Sequence, residues 1–447
     1  MKRLILLFLF TLIGKSLFSQ FNRPSFYEVV EQFYSLYQVP ENFYPRVNFE
    51  KRHGNWYIVT QQLENNRLFP VKTYKFYDKY EQQYLPLSLP KNNTSSIVNS
   101  GLMNWEVRMV VSDVLPSFGY TGWYLDVIKE LEPITNPSDD ELYALGRAYG
   151  SWTQSLLPYT IEGLDTYKTW PCSPSLDCLS RERIDSFRLL NFKGIEYFRR
   201  LAMHNPSFVA PHFFAPHIEN TIHTAYANEY IREYYQLLPY ARQYALSLSF
   251  PDSLYTEAEL AKPLTWLSEC PRGAVFITFG DNEFYPMHYL QKKKGFRTDV
   301  LVLNFSLLMS DRFIWLATMP IYNAQPIKLS LPPKFYEADS NYCILRINNS
   351  TQNFDASQLS AFLRSNKSSR WTNSLDAGSI SFKSVTGRTH KIILSPFSIL
   401  CRNEWVMIDI LNNLGSRQLC TVYPFFEALT ELNSFLKKRG SLWVYTP

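Results

Sequence analysis

Two short apolar runs constrain the fold of this chain more than any other feature. Ala274 to Phe279 and Val300 to Asn304 consist of buried-type β-formers without the polar alternation of a half-exposed strand. Between them lie a helical stretch, Glu283 to Lys293, and the turn KKGFRTD. A strand, a helix and a second strand in so short a length make a β-α-β unit, whose crossover is right-handed. The alternation continues downstream. CILRIN reads as a strand, DASQLSAFLRSNK as a helix, GSISFKSV and HKIILS as strands, EWVMIDILNNL as a helix, and QLCTVYPF follows. The expectation for residues 262–447 is an α/β domain with a mostly parallel, Rossmann-like sheet covered by helices on both faces.

The first of these strands ends in Gly280, Asp281, Asn282 and Glu283. Open α/β folds bind ligands outside the carboxyl ends of their strands. A carboxylate held there near a helix N-terminus stays ionised and can accept hydrogen bonds from sugar hydroxyls or hold a metal. Asp and Asn also cap helices, so junction chemistry is the competing reading for Asp281 and Asn282. Asn304 and Ser306 follow the next strand and reach the same edge if the two strands are neighbours. The ligand-binding candidates are therefore Asp281, Asn282, Glu283, Asn304 and Ser306. A glycoside-cleaving pair made of Asp281 and Glu283 needs its two carboxyls to converge across a cleft, about 5–10 Å apart.

At 447 residues the chain has room for two or three domains. Residues 20–110 read as a small mixed α/β region, with a helical pattern in SFYEVVEQFYSLY and strands in NWYIVTQQL and FPVKTYKFY. PLSLPKNNTSS makes a linker. Residues 111–261 read as helices. In NPSDDELYALGRAYG, the residues Leu142, Leu145, Gly146 and Tyr149 reproduce the first-helix pattern of a tetratricopeptide repeat, with a Ser138/Glu141 capping box in front. In NFKGIEYFRRLAMHNPSF, the residues Gly194, Phe198, Leu201 and Pro206 fall at second-helix positions. An ordinary α-helical domain is the plain alternative. The 30 Tyr, 32 Phe and 10 Trp suit packed helical hairpins and polymer-binding surfaces alike.

The first residues combine Lys2 and Arg3, an apolar run from Leu4 to Ile13, and Ser19 before Gln20. Residues 1–19 read as a signal peptide, because the run falls short of the roughly 20 residues that span a bilayer. Removal takes away Lys2, Arg3 and Lys15 and no acid, so the formal charge falls from +5 to +2. A balance so near neutral carries no nucleic-acid signature. In an oxidising compartment Cys172 and Cys178, in TWPCSPSLDCLS, are the disulfide candidate. Cys270, Cys343, Cys401 and Cys420 stand among apolar neighbours as small core residues, with a pairing among them left open. His212, His217, Glu219 and His223 lack metal-ligand spacing, so neither a metal nor a cofactor is expected.

From Phe279 onward the sequence resembles a known family. Gly280-Asp281-Asn282, then Arg297-Thr298-Asp299, then Asn304, Ser306, Leu307 and Leu308 recur in the soluble C-terminal part of a bacterial O-mannosyltransferase-like membrane protein family of unknown function. WVMIDILNNLGSRQLCTVYP and RGSLWVYTP are similar to its later segments. Departures fall at Glu283, where an acidic residue and then Thr are usual, and at Leu419 and Cys420, where Arg-Pro is common. The family's glycosyl-transfer chemistry is assigned to membrane helices for which this sequence has no counterpart. The resemblance thus implies an accessory domain, and the expected function is a non-catalytic secreted or periplasmic scaffold or binding protein of the cell envelope. Its partner would be an envelope protein, with a glycan as a second ligand. The alternative is a carbohydrate-active enzyme, for glycosyl transfer or glycoside hydrolysis, that uses the acidic strand end.

Overall fold

The computed structural model describes residues 24, 26–37, 47–64, 67–89, 122–157, 179–209, 221–331, 344–365, 372–396, 398–424 and 427–446. Residues 1–19, Cys172, Cys178, His212, His217, Glu219 and Cys343 lie outside them. The chain divides into two compact units, Met1–Asn136 and Pro137–Pro447.

In the first unit an antiparallel meander, β1 (Val47–Arg52), β2 (Asn55–Glu64), β3 (Arg67–Asp78) and β4 (Gln83–Tyr84), carries helix α1 (Phe26–Leu36). The apolar stripe of α1 is the reason they pack: Val29, Val30 and Phe33 are buried, and Phe33 meets Phe49 and Phe76 edge-on at 5.5 and 5.7 Å. Helix α2 (Trp123–Leu131) completes the unit.

The second unit opens with helices α3 (Asp139–Ser155) and α4 (Arg181–His204). The Ser138/Glu141 capping box forms as the sequence spells it. Gly146 and Gly194 let the two helices touch: a Cβ on Gly194 would stand 3.2 Å from the Gly146 carbonyl oxygen, and one on Gly146 would stand 2.5 Å from the Phe198 ring. Helices α5 (Ile222–Leu237), α6 (Arg242–Ser247) and α7 (Glu257–Glu269) follow.

The β-α-β unit then appears as β5 (Val275–Thr278), α8 (Asp281–Lys294) and β6 (Leu301–Asn304). Helix α8 carries Asp281 and Glu283 in its first turn and Lys292, Lys293 and Lys294 in its last, complementing the helix dipole at both ends. It stops at Gly295, whose φ of 62° is a left-handed conformation that glycine adopts without strain. After helix α9 (Asp311–Ala317) come β7 (Ile344–Ile347), β8 (Asn353–Asp355), α10 (Ala356–Ser365), β9 (Thr372–Leu375), β10 (Ser379–Lys383), β11 (Thr389–Ile393) and β12 (Ile399–Cys401). Helix α11 (Arg402–Asn412) leads to β13 (Leu419–Thr421), β14 (Leu436–Arg439) and β15 (Leu442–Tyr445).

The fold is mixed α/β, but the described strands of the second unit do not join in one mostly parallel sheet. They form three sheets, ordered β11-β10-β8, β12-β7-β9 and β14-β15-β13-β5-β6, each combining parallel and antiparallel pairs. The reason is local. LKKRGSLWVY folds as a hairpin whose turn holds Gly440 at a φ of 62°, and this adds antiparallel strands beside β13. SISFK and THKII pair with each other for the same reason, turning at Gly387 with a φ of 81°.

A single buried apolar cluster runs from Leu157 through α5 and α8 to Tyr445. The rings of Tyr235 on α5 and Phe284 on α8 meet edge-on at 4.7 Å, so the helical region and the α/β region share one core.

Candidate functional site

β5 pairs in parallel with β6 on one side and with β13 on the other, Thr278 standing opposite Asn304 and Val275 opposite Leu419. The chain leaves β5 for β6 through α8, whereas β13 arrives from far downstream. The strand order therefore reverses at β5, the place where open α/β sheets leave a crevice for ligands. Three strand ends meet there: Phe279 to Asp281 after β5, Asn304 to Ser306 after β6, and Val422 and Tyr423 after β13.

The junction is not built as a side-chain cap. Gly280 occupies the N-cap position of α8 with no side-chain hydrogen bond, and Asp281, Asn282 and Glu283 are its first three helical residues. Each is committed elsewhere. The Asn304 amide donates to Asp281 Oδ1 at 3.3 Å, and Asn304 Oδ1 accepts from the Ser306 backbone N–H at 3.0 Å. Ser306 Oγ donates to the Phe279 carbonyl at 3.1 Å. These bonds tie the ends of the two neighbouring strands, so Asp281, Asn304 and Ser306 share one edge.

Asn282 turns towards the helices, where its carbonyl accepts from the Asn228 amide at 2.8 Å while Tyr255 donates to Asn228 Oδ1 at 2.7 Å. Glu283 is 1% exposed and folds back under the strand end, accepting from the Phe279 backbone N–H at 3.0 Å. Burial raises its pKa, opposed by that N–H and by the neighbouring Tyr423 hydroxyl.

The structure thus separates the two carboxyls. Glu283 belongs to the buried floor with Phe279 and Tyr423, and Asp281 faces the helices.

Asp281 is exposed to water, yet burial raises its pKa to about 6. We read a side chain that is open to solvent while protein crowds around it as part of the wall of a recess at this strand end. Glu229 pushes the same pKa up, and Arg147 and Arg232 pull it down. These three stand on α3 and α5. Arg232 is buried and held by Glu229, by the Gly150 carbonyl at 3.3 Å, by Asn191 at 3.2 Å and by Gln236 at 3.4 Å. Gly150 is needed for this contact, because a Cβ there would stand 3.0 Å from the guanidinium. Beside the polar wall, Phe279 meets Phe305 at 5.4 Å with tilted rings and Tyr423 edge-on at 6.0 Å, an aromatic shelf across the three strand ends.

Arg147, Asn228, Glu229, Arg232 and Tyr423 were not singled out from the sequence. One signal was there to read. Asn228, Arg232 and Gln236 recur every four residues on α5 and are all buried, a polar stripe on a helix face that would otherwise be apolar.

His223 is occupied by Glu259, whose carboxylate lies 2.9 Å from Nδ1; His223, Thr224 and the Thr256 backbone hold the Glu259 pKa down to about 2 against its burial. Among the described residues, no group of three or more His, Cys, Asp or Glu is arranged to hold a metal ion, and none of Cys270, Cys401 and Cys420 is in a disulfide. No helix among them is long and apolar enough to cross a membrane.

The chain matches no curated protein and no solved structure. Residues 260–398 are similar to the family described as TMEM260-associated domain 2.

Proposed function

We propose that the chain is a non-catalytic, secreted or periplasmic binding protein of the bacterial cell envelope that holds a glycan in the recess at the end of β5 and an envelope protein on its helices. The observation that carries this reading is Asp281: a solvent-accessible carboxyl on the wall of a recess, where the strand order reverses, with its pKa raised to about 6. An aromatic shelf beside carboxylate, amide and hydroxyl groups is the surface a sugar needs, since its C–H face stacks on rings while its hydroxyls take the polar groups.

The match to a TMEM260-associated domain supports an accessory role, in keeping with the O-mannosyltransferase-like resemblance and with a Rossmann-like core. The close approach of α3 and α4 at Gly146 and Gly194 supports the tetratricopeptide-like reading of the helical region, and with it a protein partner. A glycan array and an envelope pull-down on the wild type, Asp281→Ala and Arg147→Ala test the proposal. Specific glycan retention that both substitutions abolish supports it. Retention that neither substitution weakens places the site elsewhere.

One observation favours an enzyme as the second reading. A carboxyl with a pKa near 6 suits general acid–base work, and across the recess Glu229 rather than Glu283 would be its partner. Product formation from an oligosaccharide, lost in Asp281→Asn, would establish it.

A further inference from the structure

Helix α4 carries a second surface that the recess does not use. Its inner side is buried through Ile184, Phe187, Leu190, Gly194, Ile195, Phe198 and Leu201, and its outer side leaves Leu189, Phe192 and Met203 at 61%, 60% and 72% exposure. Single exposed apolar residues are ordinary, but these fall along one face of the longest described helix.

The charges on that face are arranged about Phe192. Arg188 and Glu196 lie one helical turn before and after it, Asp185 and Arg199 two turns, and Arg181 and Met203 three turns. Each charge before Phe192 thus has the opposite charge, or an apolar side chain, at the same distance after it. Rotating the helix by a half-turn about Phe192 places Arg188 opposite Glu196, Asp185 opposite Arg199, and the Arg181 stem on Met203.

We infer that α4 is the self-association surface of this protein, pairing antiparallel with α4 of a second copy across a twofold axis through Phe192. A twofold contact must be self-complementary, and this face is so in its charges, with Phe192 meeting its own copy on the axis. The antiparallel arrangement also sets the helix dipoles head to tail. Arg181 and Arg199 are paired within their own helix to Asp185 and Glu196, and these pairs are exposed. Exposed pairs of this kind contribute little, so exchanging them for pairs across the axis costs little. A helix of this length buries less area than a standard interface, and the dimer is correspondingly weak.

Sedimentation velocity on the full chain over a wide concentration range tests the inference, with circular dichroism as the control for folding. The wild type is expected to pass from monomer to dimer with rising concentration, and Phe192→Asp to self-associate at least tenfold more weakly. Arg188→Glu and Glu196→Arg each place like charges across the axis and should each weaken the dimer. The double variant restores opposite charges and should recover it, because residues 188 and 196 are too far apart along one helix to couple within a monomer. A chain that stays monomeric throughout, a dimer indifferent to Phe192→Asp, or a double variant no better than the single ones would overturn the inference.

Discussion

Asn304 at the end of β6 donates to the Asp281 carboxylate at the start of α8, across 3.3 Å, so one hydrogen bond links two neighbouring strand ends at the mouth of the recess. That bond does not depend on the charge of residue 281. An amide in the same place also offers an acceptor oxygen, and this separates the electrostatics of Asp281 from its geometry.

Asp281→Asn is expected to stabilise the protein at pH 7.5. The folded-state pKa, about 6, lies above the ordinary 3.8, so the folded state retains a proton that the unfolded state has lost between those values. Stability therefore falls as pH rises from 4 to 6, and the wild type carries the full penalty above 6. Because the side chain is open to solvent, the gain in the variant should be about 1 kcal/mol rather than the full value of the shift. Chemical denaturation at pH 7.5 and pH 4 checks this, with the difference between the proteins vanishing at the lower pH.

Glu283→Ala should cost about 1–3 kcal/mol, since it removes a buried side chain and leaves the half-buried Phe279 N–H without this acceptor. Glu283→Gln keeps an acceptor oxygen and should cost less than half as much. Equal losses in thermal melts of the two variants would show that the carboxylate charge, not the hydrogen bond, holds the strand end.

His288 sits fully inside the core between Phe284 and Tyr235, where burial lowers its pKa to about 3. The unfolded chain takes up a proton on this residue near 6.5 and the folded chain does not. Stability is thus intact above pH 6.5 and falls between 6.5 and 3 by roughly 1.4 kcal/mol per pH unit. His288→Phe should flatten that slope in urea titrations from pH 7 to pH 4.

Gly194→Val is expected to force α3 and α4 apart and cost about 1–3 kcal/mol, because the nearest obstacle is the backbone oxygen of Gly146, which cannot rotate away. Gly146→Ala meets the Phe198 ring instead. A smaller loss for Gly146→Ala in paired melts would confirm that backbone contact sets the distance between the helices.

What the sequence revealed of this fold follows the range of the interactions involved. The β5–α8–β6 unit was readable because its signals are local: an apolar run, a Gly-Asp-Asn-Glu turn, three terminal lysines and Gly295. Its edge residues, Asp281, Asn304 and Ser306, could be grouped once two consecutive strands were taken as neighbours. The other wall of the recess could not. Arg147, Glu229 and Arg232, which act on Asp281, and Asn228, which bonds Asn282, come from helices that precede β5 and reach the strand end only through tertiary packing. The division into three sheets was hidden for the same reason, because strand pairing is non-local and a short apolar run does not name its partner. Glu283 is held under the strand end by burial, by the Phe279 N–H and by a contact with Tyr423, the last of these far downstream.

The shared core also bears on how such a domain can be inherited. The segment similar to another family ends at residue 398, whereas β13, which completes the hydrogen bonding of β5, begins at Leu419, and Tyr235, which covers Phe284, lies ahead of residue 260. The stretch similar to that family is therefore not self-contained in its sheet pairing or its core packing. A rearrangement that moved it without α5 and β13 would leave one edge of β5 without its partner strand and the Phe284 ring without Tyr235.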